Sequence, residues 1–343
     1  MSNKEKFKAF LKKLGYFFSR YHVIVILTIL IPSLIYTGRF LFKGRVHYNN
    51  LYFFGNELPV EDSSFKLTGI NPLFKLMDVS YVTNYQGAAC YDNYYVLCSN
   101  NFDALLIYDM NRNKVEHTII TNQTNTDYHC NTCWFGYDFY VSTDKFPILY
   151  ISMENAPVHA TIGFRLYEKA GSYVIEEVTR LTLTFPPEKK VYYPNSYFDY
   201  ESGLIYYSGY TKNSYMKSDD NKLVYYTFPL PDYREKDVEL NIDDAMDTFE
   251  LPSETATQGG FISHSHLYQT FSFHYKPEVH PDKTPRMRVV DLENKTIIKE
   301  YLDLGKEFGQ YDEFENITIC NNGKMYGHGN IGLKVYEFTY TDK

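Results

Sequence analysis

The chain has one tryptophan and five cysteines in 343 residues. Cys90, Cys98, Cys130, Cys133 and Cys320 are too few for a disulfide-built scaffold, and a chain this long does not need one. The single C-x-x-C run, Cys130 to Cys133, lacks the second pair of a four-thiolate zinc site. It also lacks the βαβ surroundings of a redox motif. The G-x-S-x-G, Walker A, H-E-x-x-H and EF-hand patterns are absent, which removes the activities they mark. Positive charge is scarce beyond residue 45. Residues 1–45 hold nine Lys/Arg and one acid; the whole chain carries −8, which leaves −16 on residues 46–343. A domain that acidic excludes nucleic acid as a partner, because phosphates need Lys/Arg neutralisation. Helix-period stretches are also scarce after residue 45.

What the chain has in abundance is aromatic: 35 Tyr and 25 Phe. Aromatic and β-branched residues suit a pleated, half-buried surface, so the composition predicts an all-β domain.

The one long apolar run is YHVIVILTILIPSLIYTGRFLF, residues 21–42, with 18 residues between Arg20 and Arg39. That is just long enough to cross a hydrocarbon core of ~30 Å, and Pro32 is tolerated there. Six basic residues precede the run, which favours a cytoplasmic N-terminus. No small-x-small cleavage site follows, so an uncleaved anchor is expected over a cleaved signal peptide. The expected organisation is a basic cytoplasmic tail (1–20), a transmembrane signal anchor (21–42), a tether (43–63) and a β domain (64–343) on the far side of the membrane.

Within that domain one pattern recurs. Its clearest copy is QGAACYDNYYVLCSNNFDALLIYDMNRNKVEHTI, residues 86–120. It reads as strand A (86–90), a YDN turn, strand B (94–99), an SNNFD loop, strand C (104–109), and an NRNK turn into strand D (115–120). Looser copies start at 129, 195, 258 and 315. A repeat of about 40–65 residues with four strands per unit is the signature of a β-propeller. The cadence YVLCSNNFDALLIYDMNRNKVEHTI, echoed by RMRVVDLENKTIIKEYL in the fourth unit, resembles the YVTN/NHL-type propeller repeats. That resemblance implies a fold and no activity. The last unit has only three strands, so residues 64–80 are expected to supply its fourth and place both termini in one blade. Five blades follow, with six as the alternative if 48–85 or 160–192 hides another.

In a propeller, strand A lines the central channel, and its start shares a face with the B–C loops; ligand sites favour the concave end of the channel. The five strand-A starts, Gln86, His129, Asn195, Gln258 and Glu315, are all polar. The B–C loops are read as contributing Asn100, Asp103, Asp144, Lys145, His274, Lys276, Arg286 and His328. Two of those loops, 208–222 and 273–286, are long enough to be functional. Ligand binding is therefore assigned to Gln86, His129, Lys145, Asn195, Gln258, His274, Arg286 and His328, with His129, Glu315 and Asp144 as catalytic candidates. His264-Ser-His266 has the alternation of a metal pair, but alignment of the units puts it at an A–B turn on the opposite face. No metal site and no cofactor are expected. The Gly of Gln86-Gly87 and Gln258-Gly259 is expected where backbones crowd the axis. Cys90, Cys133 and Cys320 fall at one level of neighbouring A strands. Their expected role is apolar packing, with a Cys90–Cys320 or Cys90–Cys133 bridge as the option outside the cell.

These features lead to a membrane-anchored extracytoplasmic module that binds a glycan or a protein at the cell envelope. The alternative is a glycan-active enzyme on the same face. A hydrolase needs two carboxylates; a lyase would use His129 as base, with Lys145 or Arg286 neutralising a uronate.

Overall fold

The fold is described by a computed structural model. It describes residues 8, 45–47, 66–76, 85–102, 104–112, 114–120, 129–154, 159–272, 285–301, 304, 313–329 and 334–341. The chain divides into two compact units, residues 1–45 and 46–343. The anchor expected over 21–42 lies outside the described residues; among those described, no helix is long and apolar enough to cross a membrane.

Two strands, β1 (Arg45–His47) and β2 (Lys66–Leu76), precede the repeats. The first blade is β3 (Tyr85–Tyr91), β4 (Tyr94–Ser99), β5 (Ala104–Asp109) and β6 (Lys114–Ile120), each within a residue of its expected limits. The second is β7 (His129–Phe135), β8 (Leu149–Glu154), β9 (His159–Lys169) and β10 (Ser172–Thr184). The third starts with β11 (Tyr192–Asp199), β12 (Leu204–Tyr210) and β13 (Lys222–Pro229). Its chain then leaves to lay β14 (Asp237–Asn241) parallel to β10 before returning as β15 (Asp247–Pro252). The fourth is β16 (Thr257–Ser263), β17 (His266–Phe271), β18 (Arg286–Asp291) and β19 (Thr296–Tyr301). The fifth is β20 (Phe314–Ile319), β21 (Met325–Gly329) and β22 (Lys334–Thr341), completed by β2.

The protein is thus a five-bladed, all-β propeller. The hidden blade considered within 160–192 is instead the β9–β10 hairpin of the second blade. Closure is as the sequence implied: β2 pairs antiparallel with β22, from Lys66 opposite Thr341 to Lys75 opposite Lys334.

Every blade buries both faces, which is why its inner strands read as unbroken apolar runs. In β5, Leu105 and Ile107 pack towards the second blade, while Ala104, Leu106 and Tyr108 pack towards the fifth. Among the described residues there are therefore five hydrophobic clusters, one in each joint between neighbouring blades. Burying one Leu or Ile side chain contributes ~1.5–3 kcal/mol, so each joint stabilises the two sheets that form it.

Four of the five cysteines also span joints. Cys90–Cys320 links the first blade to the fifth (Cα–Cα 4.8 Å), and Cys98–Cys130 links the first to the second (6.8 Å). Cys133 is buried and unpaired. The expected Cys90–Cys320 option is therefore the one that forms. The Cys98–Cys130 bridge was not expected, because Cys98 lies on strand B and does not align with the other three.

Candidate functional site at the channel mouth

In all five blades the ladder between the two innermost strands shifts register near its start. The shifts fall between Tyr85 and Ala88, Cys130 and Cys133, Tyr192 and Asn195, Thr257 and Gly260, and Phe314 and Asn316. A β-bulge of this kind re-aims side chains and is favoured next to functional sites. The residues it turns are Gln86, Asn131, Tyr193, Gln258 and Glu315. Three of them are expected strand-A starts. In the second and third blades the expected His129 and Asn195 each stand two positions from the bulge residue, so Asn131 and Tyr193 take the equivalent places.

Four of these bulge residues, Gln86, Asn131, Tyr193 and Gln258, line a pocket of about 200 Å³ at the mouth of the channel. The rest of its wall comes from the same end of the molecule. His129 opens strand A of the second blade, and its ladder partner Glu154 closes strand B. Tyr210 closes strand B of the third blade, and Tyr215 comes from the long loop that follows it. Ala256, Thr257 and Glu313 complete the rim. The face is the one expected from the repeat register, and one of the two long loops supplies a wall.

The inner ring is cross-linked by side-chain amides. Gln86 Nε2 donates to Glu315 Oε1 (3.3 Å), and Asn131 Nδ2 to Glu154 Oε2 (2.7 Å) and the Thr257 carbonyl (3.3 Å). Asn195 Nδ2 donates to the Gln258 carbonyl (3.4 Å), and Asn316 Nδ2 to the Ala88 carbonyl (2.6 Å). Gln258 Nε2 reaches the Ser272 carbonyl and Glu313 Oε1, both at 3.1 Å. The expected crowding at Gly259 is severe: a Cβ there would lie 1.8 Å from Asn316 Oδ1 and 2.8 Å from its Cα. Asn316 is itself fully buried in this ring.

Burial sets the protonation of the two titratable ladder partners. Glu154 is 7% exposed, and desolvation pushes its carboxyl up to about 8 despite the Asn131 amide, which pulls it down. Desolvation lowers His129 to about 4. At neutral pH the pocket therefore holds a protonated carboxyl beside a neutral imidazole. Tyr193 sits at φ 52° in its bulge, a conformation costly for a non-glycine residue and concentrated at functional sites. Its ring packs edge-on to Tyr210 (centroids 6.3 Å apart) and Tyr215 (5.6 Å).

Other expected site residues lie elsewhere. Strand B of the second blade begins at Leu149, so Asp144 and Lys145 belong to an A–B connection on the opposite face, not to a B–C loop. There Asp144 accepts a two-pronged ion pair from Arg165 (2.8 and 2.7 Å), and Lys145 Nζ sits 3.9 Å from the centre of the Tyr94 ring. Arg286 is on the expected face, but its guanidinium pairs with Glu254 (3.0 Å) outside the pocket. His328 is buried between the fifth and first blades against the Tyr95 hydroxyl (3.1 Å). Asn195 and Glu315 are buried in the inner ring. His264 and His266 form the A–B turn of the fourth blade, as expected. His274, Lys276 and Asp103 lie outside the described residues. Among the described residues no three His, Cys, Asp or Glu side chains are placed to hold a metal ion.

Asn131, Glu154, Tyr193, Tyr210, Thr257 and Glu313 were not singled out from the sequence. A signal for Glu154 and Tyr210 was present: in an antiparallel hairpin the end of strand B lies beside the start of strand A, so ISME and YSGY both deliver their last residue to the mouth.

No family model matches the chain, and no curated protein matches it. Among solved structures the chain is similar to the glutaminyl cyclase of Myxococcus xanthus, with a TM-score of 0.44 and 8% identity. The likeness covers 81% of this chain and 96% of that one.

Proposed function

We propose that the chain is an extracytoplasmic propeller of YVTN/NHL-like repeats, held at the membrane by its N-terminal segment, whose channel mouth binds a glycan of the cell envelope. One observation carries the reading. Gln86 Oε1 and Asn131 Oδ1 are buried and have no hydrogen-bond partner, and both residues line the pocket. A buried acceptor left unpaired costs ~1–3 kcal/mol, and a ligand that brings a donor offsets that cost. The pocket volume, about 200 Å³, is below the ~300–1,000 Å³ typical of drug-sized sites. It suits one terminal sugar unit, with tyrosine rings for the apolar face. Two disulfides fit an oxidising compartment, and the basic flank of the anchor fits a domain beyond the membrane. An anionic sugar is disfavoured, since neither Lys nor Arg lines the pocket among the described residues.

Tyr215 allows a clean test, being 36% exposed on a loop. On a glycan panel, Tyr215→Ala should weaken the bound glycan at least tenfold with an unchanged melting temperature. Equal binding by both proteins would remove the pocket from the account.

A second reading has its own observation. Glu154 and His129 are adjacent groups whose environments push their pKa values in opposite directions, the pattern of an acid and base pair. Glu154 would protonate a leaving group and His129 would accept a proton. A Glu154→Gln variant that binds glycan normally but has lost glycosidic cleavage would favour this reading; wild-type protein without turnover would end it.

A further inference from the structure

If the mouth is a glycan site, as proposed above, its groups without a protein partner define what the glycan must bring. Glu154 lines the pocket as the ladder partner of His129. Its Oε2 accepts the Asn131 amide (2.7 Å), and its Oε1 has no hydrogen-bond partner among the described residues. The His129 ring also has none there. Beside them, Gln86 Oε1 and Asn131 Oδ1 are buried acceptors without a donor.

The carboxyl of Glu154 is a donor in this setting. No Lys or Arg lines the pocket among the described residues, and an uncompensated carboxylate is costly to bury. Burial pushes Glu154 up to about 8. Because Oε2 already accepts from Asn131, the proton belongs on Oε1, the oxygen without a partner. His129, lowered to about 4 by burial, is neutral and offers one N–H and one lone pair. The wall therefore mixes donors with acceptors. A hydroxyl gives and takes hydrogen bonds at one atom and matches both. A carboxylate brings no donor for the two amide oxygens, and an ammonium brings no acceptor for the Glu154 proton.

The other titratable groups around Glu154 do not compete between pH 7 and pH 9. Burial raises the hydroxyls of Tyr193 and Tyr210 above their ordinary 10. Glu313 and Glu315 accept from the Gln258 and Gln86 amides at 3.1 and 3.3 Å.

We propose that Glu154 binds the ligand as a hydrogen-bond donor, so that the channel mouth takes an uncharged, hydroxyl-bearing sugar unit and releases it when the carboxyl loses its proton. Binding and protonation are then linked: above pH 8 the sugar must bring a proton back to the site.

Methyl glycosides of glucose, galactose and mannose are titrated into the full chain by calorimetry at pH 7 and pH 9, and again into Glu154→Gln. The glutamine keeps an oxygen for Asn131 and an N–H for the pocket at every pH. In the wild type, a sugar that binds should do so about tenfold more weakly at pH 9, with about one proton taken up per sugar there, read from buffers of different ionisation heat. In Glu154→Gln the affinities at the two pH values should match and the uptake should vanish. Equal wild-type affinities, or a loss that persists in Glu154→Gln, overturns the donor role and leaves the glycan site standing. No binding by any of the three sugars overturns the uncharged-sugar assignment, and the glycan panel with Tyr215→Ala then judges the mouth separately. If near-UV circular dichroism shows either protein unfolding at pH 9, wild-type uptake at pH 8 decides: about half a proton per sugar supports the proposal, and none overturns it.

Discussion

Replacing Glu154 with glutamine should stabilise the domain at alkaline pH far more than in acid. The folded carboxyl keeps its proton up to about pH 8, whereas the unfolded one ionises near 4.5. Below 4.5 both states are protonated and burial of the carboxyl is at its least costly. As the pH rises from 4.5 to 8 the unfolded chain loses a proton that the folded chain retains, so stability falls across that window. Each pH unit crossed costs ~1.4 kcal/mol, or about 4 kcal/mol between pH 5 and pH 8. His129 and His328 act in the other direction. Burial holds each neutral down to about 4, so they withdraw stability as the pH falls from 6.5 towards 4. Both remain in the variant, and subtracting wild type from Glu154→Gln cancels them. The variant's amide keeps an oxygen for Asn131. Urea unfolding of both proteins at pH 5 and pH 8 reads the effect. The variant's gain should be about 4 kcal/mol larger at pH 8, and somewhat less if the unfolded chain retains structure. Equal gains at the two values would refute the burial argument.

Three further outcomes follow from the same geometry. Gly259→Ala forces a methyl into Asn316 across a fully packed ring and should cost about 3 kcal/mol or more; a melting temperature within a degree of wild type would contradict the crowding. Thiol titration of unreduced, denatured protein should find one free cysteine, Cys133, of the five; five would contradict the disulfides. Removing the 32-residue Cys98–Cys130 link by Cys98→Ser with Cys130→Ser should cost about 4 kcal/mol in chemical unfolding by the loop-entropy relation; no loss would mean that the bridge does not constrain the unfolded chain.

The repeat was legible because each strand of the first blade is short, apolar and bounded by Asn and Asp turns. The closing strand was legible because the fifth unit runs out one strand short. Residues Gln86 and Gln258 were found because polar side chains lead apolar strands there. What the sequence hid was mostly register. A bulge adds a residue without leaving a local mark, so it shifted Asn131 and Tyr193 into the places assigned to His129 and Asn195. The second blade hid its A–B connection as well: FYVS looks like a strand by composition, yet Gly136 to Ile148 forms none, and that carried Asp144 and Lys145 to the wrong face. Glu154 was hidden for a different reason. A carboxylate at a strand end reads as solvated, and only the assembled ring encloses it.

A structure of the protein crystallised with a glycan bound on the panel tests the central claim most directly. The account predicts one sugar unit in the pocket at the channel mouth, within hydrogen-bond distance of Gln86 Oε1 and Asn131 Oδ1. A glycan seated on the A–B face would contradict it.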